Sequence, residues 1–354
     1  MVWSVIRLGK RTCIFLFILT FLTLPQNSFA LAATPLTKET APNTTTSDES
    51  KSSGSSTVLN NVDTEFTLTT GFRTDDLDWS IAGNGVNVLS ELSWSDVESY
   101  QITIANRTRF NNNIYCRGAF SYAWIQDGTI RDSDYGLDNR GAEWSRSISE
   151  STGDEAWDIS AGGGYSFYFM KDRLTLSPLL GLSYHKQNLR IQKGTQTLSG
   201  VNPFGGSNPP PVGPLSSQLN SSYFARWFGP WIGCDLSYKP KMRAPIYHSM
   251  EFRLSLELHW ADYYGEGNWN LRSDLQHPKS FEHETDGIGI AVSGQWMIEI
   301  TEHWDLTFTA SQQDWSTDSG TDRKFLAGSG VSVTRLNEVN WSSFSIMVGT
   351  TYQF

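Results

Sequence analysis

The sequence predicts an all-β protein: a closed antiparallel transmembrane β-barrel of about 10 strands with long extracellular loops. Three observations carry that prediction. Apolar residues recur at every second position from Glu65 onward, with almost no segment at the i, i+3, i+4, i+7 spacing of a helix. The N-terminus has the charge and hydropathy pattern of an export leader. The chain ends on an alternating strand whose last residue is the aromatic Phe354. Composition agrees: 14 Trp, 13 Tyr and 19 Phe sit in 354 residues that are only 38% hydrophobic. So many rings argue against disorder. A single apolar run near spanning length argues against a helical membrane protein. The net charge of −10 argues against nucleic acid as a partner.

Taken in order, Arg7, Lys10 and Arg11 precede the apolar run from Thr12 to Pro25. Asn27-Ser28-Phe29-Ala30 then supplies a small-x-small cleavage site. Residues 1–30 are therefore expected to be a secretory signal peptide. Its removal takes three basic residues and moves the charge from −10 to −13. Cys13 leaves with it. Cys116 and Cys234 remain and are read as two free thiols on strands, because spacing alone does not bring their Cα atoms into bonding range. Residues 31–60 are almost all Ser, Thr, Asn, Pro and charge, which marks a disordered Ser/Thr-rich linker. The barrel is expected over 61–354.

Ten segments alternate: 65–81, 88–109, 114–125, 154–169, 174–193, 221–238, 249–266, 281–298, 304–316 and 338–354. In the last, Phe344, Ile346, Val348, Thr350, Tyr352 and Phe354 share one face, and Ser343, Ser345, Gly349, Thr351 and Gln353 the other. In the seventh, Met250, Phe252, Leu254, Leu256, Leu258 and Trp260 alternate with Glu251, Arg253, Ser255, Glu257 and His259. Only one face of such a wall must satisfy lipid, so Glu251, Arg253, Glu257 and His259 are expected to form a polar cluster in the lumen. Trp296, Trp304, Tyr238, Tyr247 and Tyr352 sit at strand ends, as aromatic girdles do. Rings are thus expected toward lipid and its borders, with Gly, Ser and charge inside. Short turns fall near 111–113, 171–173 and 299–303, with a longer one near 240–248. Long connections fall at 126–153, 194–220, 267–280 and 317–337. Both termini then lie on the periplasmic side, and strands longer than about ten residues project beyond the bilayer.

A ten-stranded barrel with these features resembles the omptin family of outer-membrane aspartic proteases. Pro230-Trp231-Ile232-Gly233 with Ser237-Tyr238 resembles the family's Pro-aromatic-Ile-Gly…Ser-Tyr strand. Leu89 to Trp94 resembles its second strand, Asp132-Ser133-Asp134-Tyr135 its Asp-x-Asp-aromatic motif, and Gly349 to Phe354 its last strand. The likeness spans most of 65–354. The chain also resembles the outer-membrane proteins of environmental chlamydiae. The omptin likeness implies a carboxylate pair, here Asp132 and Asp134, facing an Asp-x-His pair whose His activates a water. Anchoring on Trp260 and on Gly287 to Val292 puts Gly267 and Trp269 at the Asp and His positions, and neither can move a proton usefully. Asp274 and His277 have i, i+3 spacing, which splits a strand pair between faces. His283 has inward parity and is the remaining candidate for a displaced base. Asp132 and Asp134 are then a remnant pair.

No zinc spacing, phosphate loop or nucleophile triad appears, so no cofactor or metal is implied. The expectation is an omptin-like outer-membrane barrel of a Gram-negative-type bacterium without the complete protease dyad, its loops at the cell surface. It would be a surface structural, adhesive or porin-like protein. The rivals are an active omptin-type aspartic endopeptidase and a small-solute porin. Expected partners are outer-membrane lipid and lipopolysaccharide, and the outer-membrane assembly machinery through Phe354; no oligomeric state follows.

Overall fold

The computed structural model describes residues 62–241 and 249–354. The expected signal peptide and linker, and Tyr247 of the expected girdle, lie outside the described residues. The strands are β1 (Val62–Gly83), β2 (Val86–Phe110), β3 (Ile114–Leu137), β4 (Gly141–Glu150), β5 (Glu155–Tyr165), β6 (Phe167–Phe169) and β7 (Leu174–Ser199). They continue as β8 (Gly213–Pro214), β9 (Ser221–Tyr238), β10 (Met250–Asn268), β11 (Phe281–Glu299), β12 (Trp304–Thr317), β13 (Gly320–Phe325) and β14 (Val331–Gln353). β4, β5 and β6 are successive pieces of wall beside β7, the first two also pairing with β3. β13 fills the wall above β12, between β11 and β14.

The ring closes when β14 pairs with β1, from Glu65↔Gln353 up to Ile81↔Leu336. All ten wall positions are antiparallel to their neighbours. Cross-strand partners lead from Phe66 through Asn106, Gly118, Ala161 and Leu182 to Pro230. The row continues from Trp260 through Ile288, Ser316 and Asn340 to Asp78. One circuit therefore climbs from position 66 to position 78 on β1. That stagger tilts the strands by about 40° from the axis, the usual barrel range.

Outward side chains form a belt. Phe66, Leu68 and Phe72 on β1, Ile102 and Ile104 on β2, Leu180 on β7, Leu256 on β10 and Ile346 on β14 are all exposed, Leu180 at 70%. Such a band suits hydrocarbon and no other solvent. At its lower rim Trp304, Tyr352 and Phe354 meet edge to face in sequence, with centroids 4.9 and 4.8 Å apart. Above the upper rim the outward residues become Asp76, Glu98, Lys186, Arg226, Asp262 and Asp286. The short turns 111–113 and 170–173 sit at the lower end, where Asn113, Met170, Lys171 and Asp172 take left-handed backbone.

Three levels of the interior stand out, with a second buried ion-pair group, Arg73 with Asp75 and Asp158, between the upper two. Lowest is an ion-pair layer, where Arg253 joins Glu65 and Glu251 across the lumen, and Arg107 Nη1 donates to Gln295 at 2.7 Å. Arg117 reaches Glu257 at 2.7 Å, and His259 lies 3.0 Å from the same carboxylate. Glu251, Arg253, Glu257 and His259 all take part in this layer. Next comes a chamber of about 210 Å³ lined by Thr69, Thr103, Ser121, Ser160, Ser293 and Ser345. Small inward residues on neighbouring strands leave this space.

The top layer overturns an expectation. Trp79, Trp94, Trp227, Trp315 and Trp341 point inward with Tyr223 and Tyr263, and all are buried. Trp315 stacks on Trp341 at 5.6 Å, Trp227 lies 5.5 Å from Trp315 and 4.5 Å from Tyr263, and Trp94 stacks on Tyr223 at 5.2 Å. Leu77, Ile81, Leu92, Ile130 and Leu189 complete an apolar core spanning the lumen. Rings are therefore not confined to lipid. Above the bilayer a barrel is an ordinary soluble sheet structure, and it needs an apolar interior.

The four expected long connections also contain strand. β3 runs on to Leu137, β4 lies wholly within 126–153, β7 continues to Ser199, and β13 and the start of β14 occupy 320–336. Bulges hide this continuation in the sequence. The β2–β3 register shifts between Ser95 and Ser99, with Asp96 at φ 52°, so the inward parity changes from odd to even.

Arg253→Ala would remove the cation nearest to Glu65 and Glu251, leaving them Arg107 at 3.5 Å and Lys239 at 3.4 Å. A loss of about 3–5 kcal/mol is expected, read as a lower urea midpoint of the folded, heat-modifiable species on gels.

Candidate functional site

The barrel mouth is built on the upper parts of β2, β3, β4, β10 and β13. Asp132 pairs across the sheet with Leu92 and Ser147, and Asp134 with Ser90 and Ser145. Both continue the inward face of buried Ile130, so the i, i+2 spacing does place two carboxyls side by side. Burial raises the Asp132 carboxyl well above the usual range, and the adjacent Asp134 raises it further; Arg272 and Lys324 pull the other way. Asp134 is also raised by burial, opposed by hydrogen bonds from Ser90 and Ser145 and by the same two cations. Two neighbouring carboxyls of this kind hold a proton between them.

Facing cations come from the β10–β11 connection and from β13, but a general base does not. Gly267 pairs with Phe281, and a Cβ on Gly267 would lie 2.0 Å from that ring. Trp269 packs on the same ring at 5.0 Å. The two positions that the omptin likeness assigns to Asp and His therefore hold a glycine and an indole around one phenyl group. Asp274 accepts from Arg272 at 2.8 and 2.7 Å, while exposed His277 lies 2.8 Å from Asn268 Oδ1. These two do not form a pair.

His283 does find a carboxylate. Its Nε2 is 3.2 Å from Asp322 Oδ1, and its Nδ1 is 2.9 Å from the Tyr223 hydroxyl, itself 2.6 Å from Tyr263. Thr334 donates to the other Asp322 oxygen at 2.7 Å. Sequence reasoning missed Asp322, which falls in the expected loop 317–337, and it missed Tyr223 and Tyr263, whose inward parity was the available signal. His283 is 0% exposed, with Trp79 at 4.8 Å and Phe281 at 5.0 Å. Burial holds its pKa down against the opposing pull of Asp322. The His283–Asp322 pair, enclosed by these rings, ties β11 to β13.

The polar cluster lower in the lumen is equally enclosed. Glu251 is 5% exposed, Arg253 7% and His259 3%. Ser183 lies 3.0 Å from His259 Nδ1. Cys116 and Cys234 are both free thiols.

Residues 67–354 match the family model described as Protochlamydia outer membrane protein. No curated protein matches the sequence. Among solved structures, the outer membrane protease OmpT from Escherichia coli is similar at 13% identity and TM-score 0.64, covering 84% of this chain and 98% of that one. The outer membrane protein OprG from Pseudomonas aeruginosa aligns at 11% identity and TM-score 0.29, over 82% of this chain and 95% of that one. The attachment invasion locus protein Ail of Yersinia pestis aligns at 10% identity and TM-score 0.24, over 82% and 99%. The likeness to OmpT establishes the barrel fold.

A carboxyl raised on folding contributes stability that is complete below its unfolded value, near 4, and lost as pH rises through its folded value. Asp132→Asn keeps a neutral group at all pH values. It should match the parent at pH 4 and exceed it by about 2 kcal/mol at pH 9 in urea titrations.

Proposed function

The chain belongs to the Protochlamydia outer membrane protein family, and from that premise we propose that it is a surface structural and adhesive barrel, neither channel nor protease. It resides in the outer membrane, as its family and fold require. The observation that carries the reading is the aromatic plug. Five indoles and two tyrosines from β1, β2, β9, β10, β12 and β14 meet on the barrel axis, above an ion-pair layer that spans the same lumen. Solute passage would require both layers to part. The occupied Asp and His positions support the loss of proteolysis, with Asp132 and Asp134 as the remnant pair.

In this reading residues 1–30 direct export and are removed, and 31–60 form a periplasmic linker. Phe354 engages the assembly machinery, and lipopolysaccharide surrounds the upper belt. What the protein offers its surroundings is then the extramembrane part of the wall with its loops, held rigid by the plug. That platform is large: β3 and β7 each continue more than ten residues beyond Trp124 and Tyr184 at the upper rim.

Refolded protein is expected to leave a panel of basic peptides intact, and liposomes containing it should not swell in small sugars. Cleavage that disappears in Asp134→Ala would establish the protease instead, and sugar-dependent swelling would establish the porin.

A further inference from the structure

The hydrogen-bonded wall has a gap at the top of β14. β14 pairs with β1 only up to Leu336, because β1 ends at Gly83 and turns back into β2 through Gly83↔Val86. Above that turn, residues 331–335 pair with β13 alone, from Phe325↔Val331 to Thr321↔Arg335. No described residue makes a backbone hydrogen bond to their other side. The opposite flank of the same turn is closed by side chains. There Asn87 N donates to Asp138 Oδ1 at 2.8 Å, and Asn139 N donates to Asn87 Oδ1 at 2.7 Å.

The open segment reads Val-Ser-Val-Thr-Arg. Thr334 faces inward and donates to Asp322 at 2.7 Å, so Val331 and Val333 stand on the outer face, 54% and 60% exposed. Before Arg335 the edge carries none of the usual protection: no Pro, no charge and no register shift. Arg335 Nε donates to Asn337 Oδ1 at 3.1 Å and makes no ion pair with a described residue. The hairpin that presents the edge is tied down. Leu326 N donates to the Gly330 carbonyl at 2.8 Å, and Ala327 N to the Asp274 carbonyl at 2.9 Å.

We propose that this edge takes up an extended segment of another protein as an added strand. The segment's apolar side chains lie against Val331 and Val333, and an acidic one lies beside Arg335. This rests on the adhesive reading and names the kind of partner. A row of free N–H and C=O groups at strand spacing is matched by another extended backbone, and side chains at alternate positions then select the sequence. A preformed edge also spares its half of the ordering cost. A second copy in the same membrane does not fit. With strands tilted by about 40°, a two-fold along the membrane normal would cross the two edges at about 80°. Neighbouring strands of a sheet differ by only about 25°.

The test titrates the refolded full chain in detergent with the labelled peptide Glu-Val-Thr-Val-Thr-Val-Glu, up to about 1 mM, and reads fluorescence anisotropy. Acid at both ends serves either strand direction. The parent should bind. Methylating the backbone nitrogens of the peptide's Val residues, or those of its Thr residues, leaves every side chain in place, and one of the two sets should abolish binding. Val331→Lys/Val333→Lys should weaken it by about tenfold while keeping folded, heat-modifiable gel mobility. Arg335→Glu should shift preference by about fivefold toward the same peptide with Lys ends. A parent that binds no peptide overturns the proposal, and so does binding that survives both methylated sets. A peptide-free dimer that the two lysines dissolve overturns it too, since the occupant is then a second copy. The adhesive reading fails separately, by peptide cleavage or liposome swelling.

Discussion

A ring of ten strands encloses very little width. At this strand number and tilt the interior takes only a few side chains across, so inward residues at each height decide whether that level is filled, hollow or charged. Every feature of the protein follows from how that constraint is met. Inside the hydrocarbon the wall is stabilised by closure and by lipid, and the interior can be polar: opposed charges below, small hydroxyls above. Outside the hydrocarbon the same wall has water on its outer face. There it must hold together as a soluble sheet protein does, by burying apolar surface, and it does so with indoles.

That change of solvent explains what the sequence made legible. Period two over Met250 to Trp260 or Phe344 to Phe354 names both the strand and its lipid face, because two solvents demand opposite chemistry on alternate residues. Above the rim that contrast fades. Asp76 and Asp78 outside, with Leu77 and Trp79 inside, still alternate, but irregularities near Asp96, Asp127 and Lys193 shift the parity. The continuations of β3 and β7 therefore looked like loops. Alternation puts Glu251, Arg253, Glu257 and His259 on one face of one strand. Their partners Glu65 and Arg117 were not legible, since no local rule connects residues across a lumen.

The mouth was half legible for the same reason. Asp132 and Asp134 share a face by spacing alone, and Gly267 and Trp269 could be placed by register. What fills the space between them could not be, because Phe281 enters from the next strand and Asp322 from an unrecognised one. Packing fills this part of the mouth. Gly267 gives room to Phe281, Trp269 covers it, and the His283–Asp322 pair is buried beneath the rings, where it joins strands. In this ten-stranded mouth a continuous aromatic core occupies the space between the facing strands.

Closure of the lumen is the claim on which the rest stands, and ion current across a planar lipid bilayer reads it directly. The refolded parent should produce no stepwise conductance. Trp227→Ala/Trp315→Ala combined with Arg253→Ala, if it retains folded gel mobility, should produce steps, because both barriers are then thinned. Steady open steps from the parent, unchanged by those substitutions, would contradict the account and place an open path through the barrel.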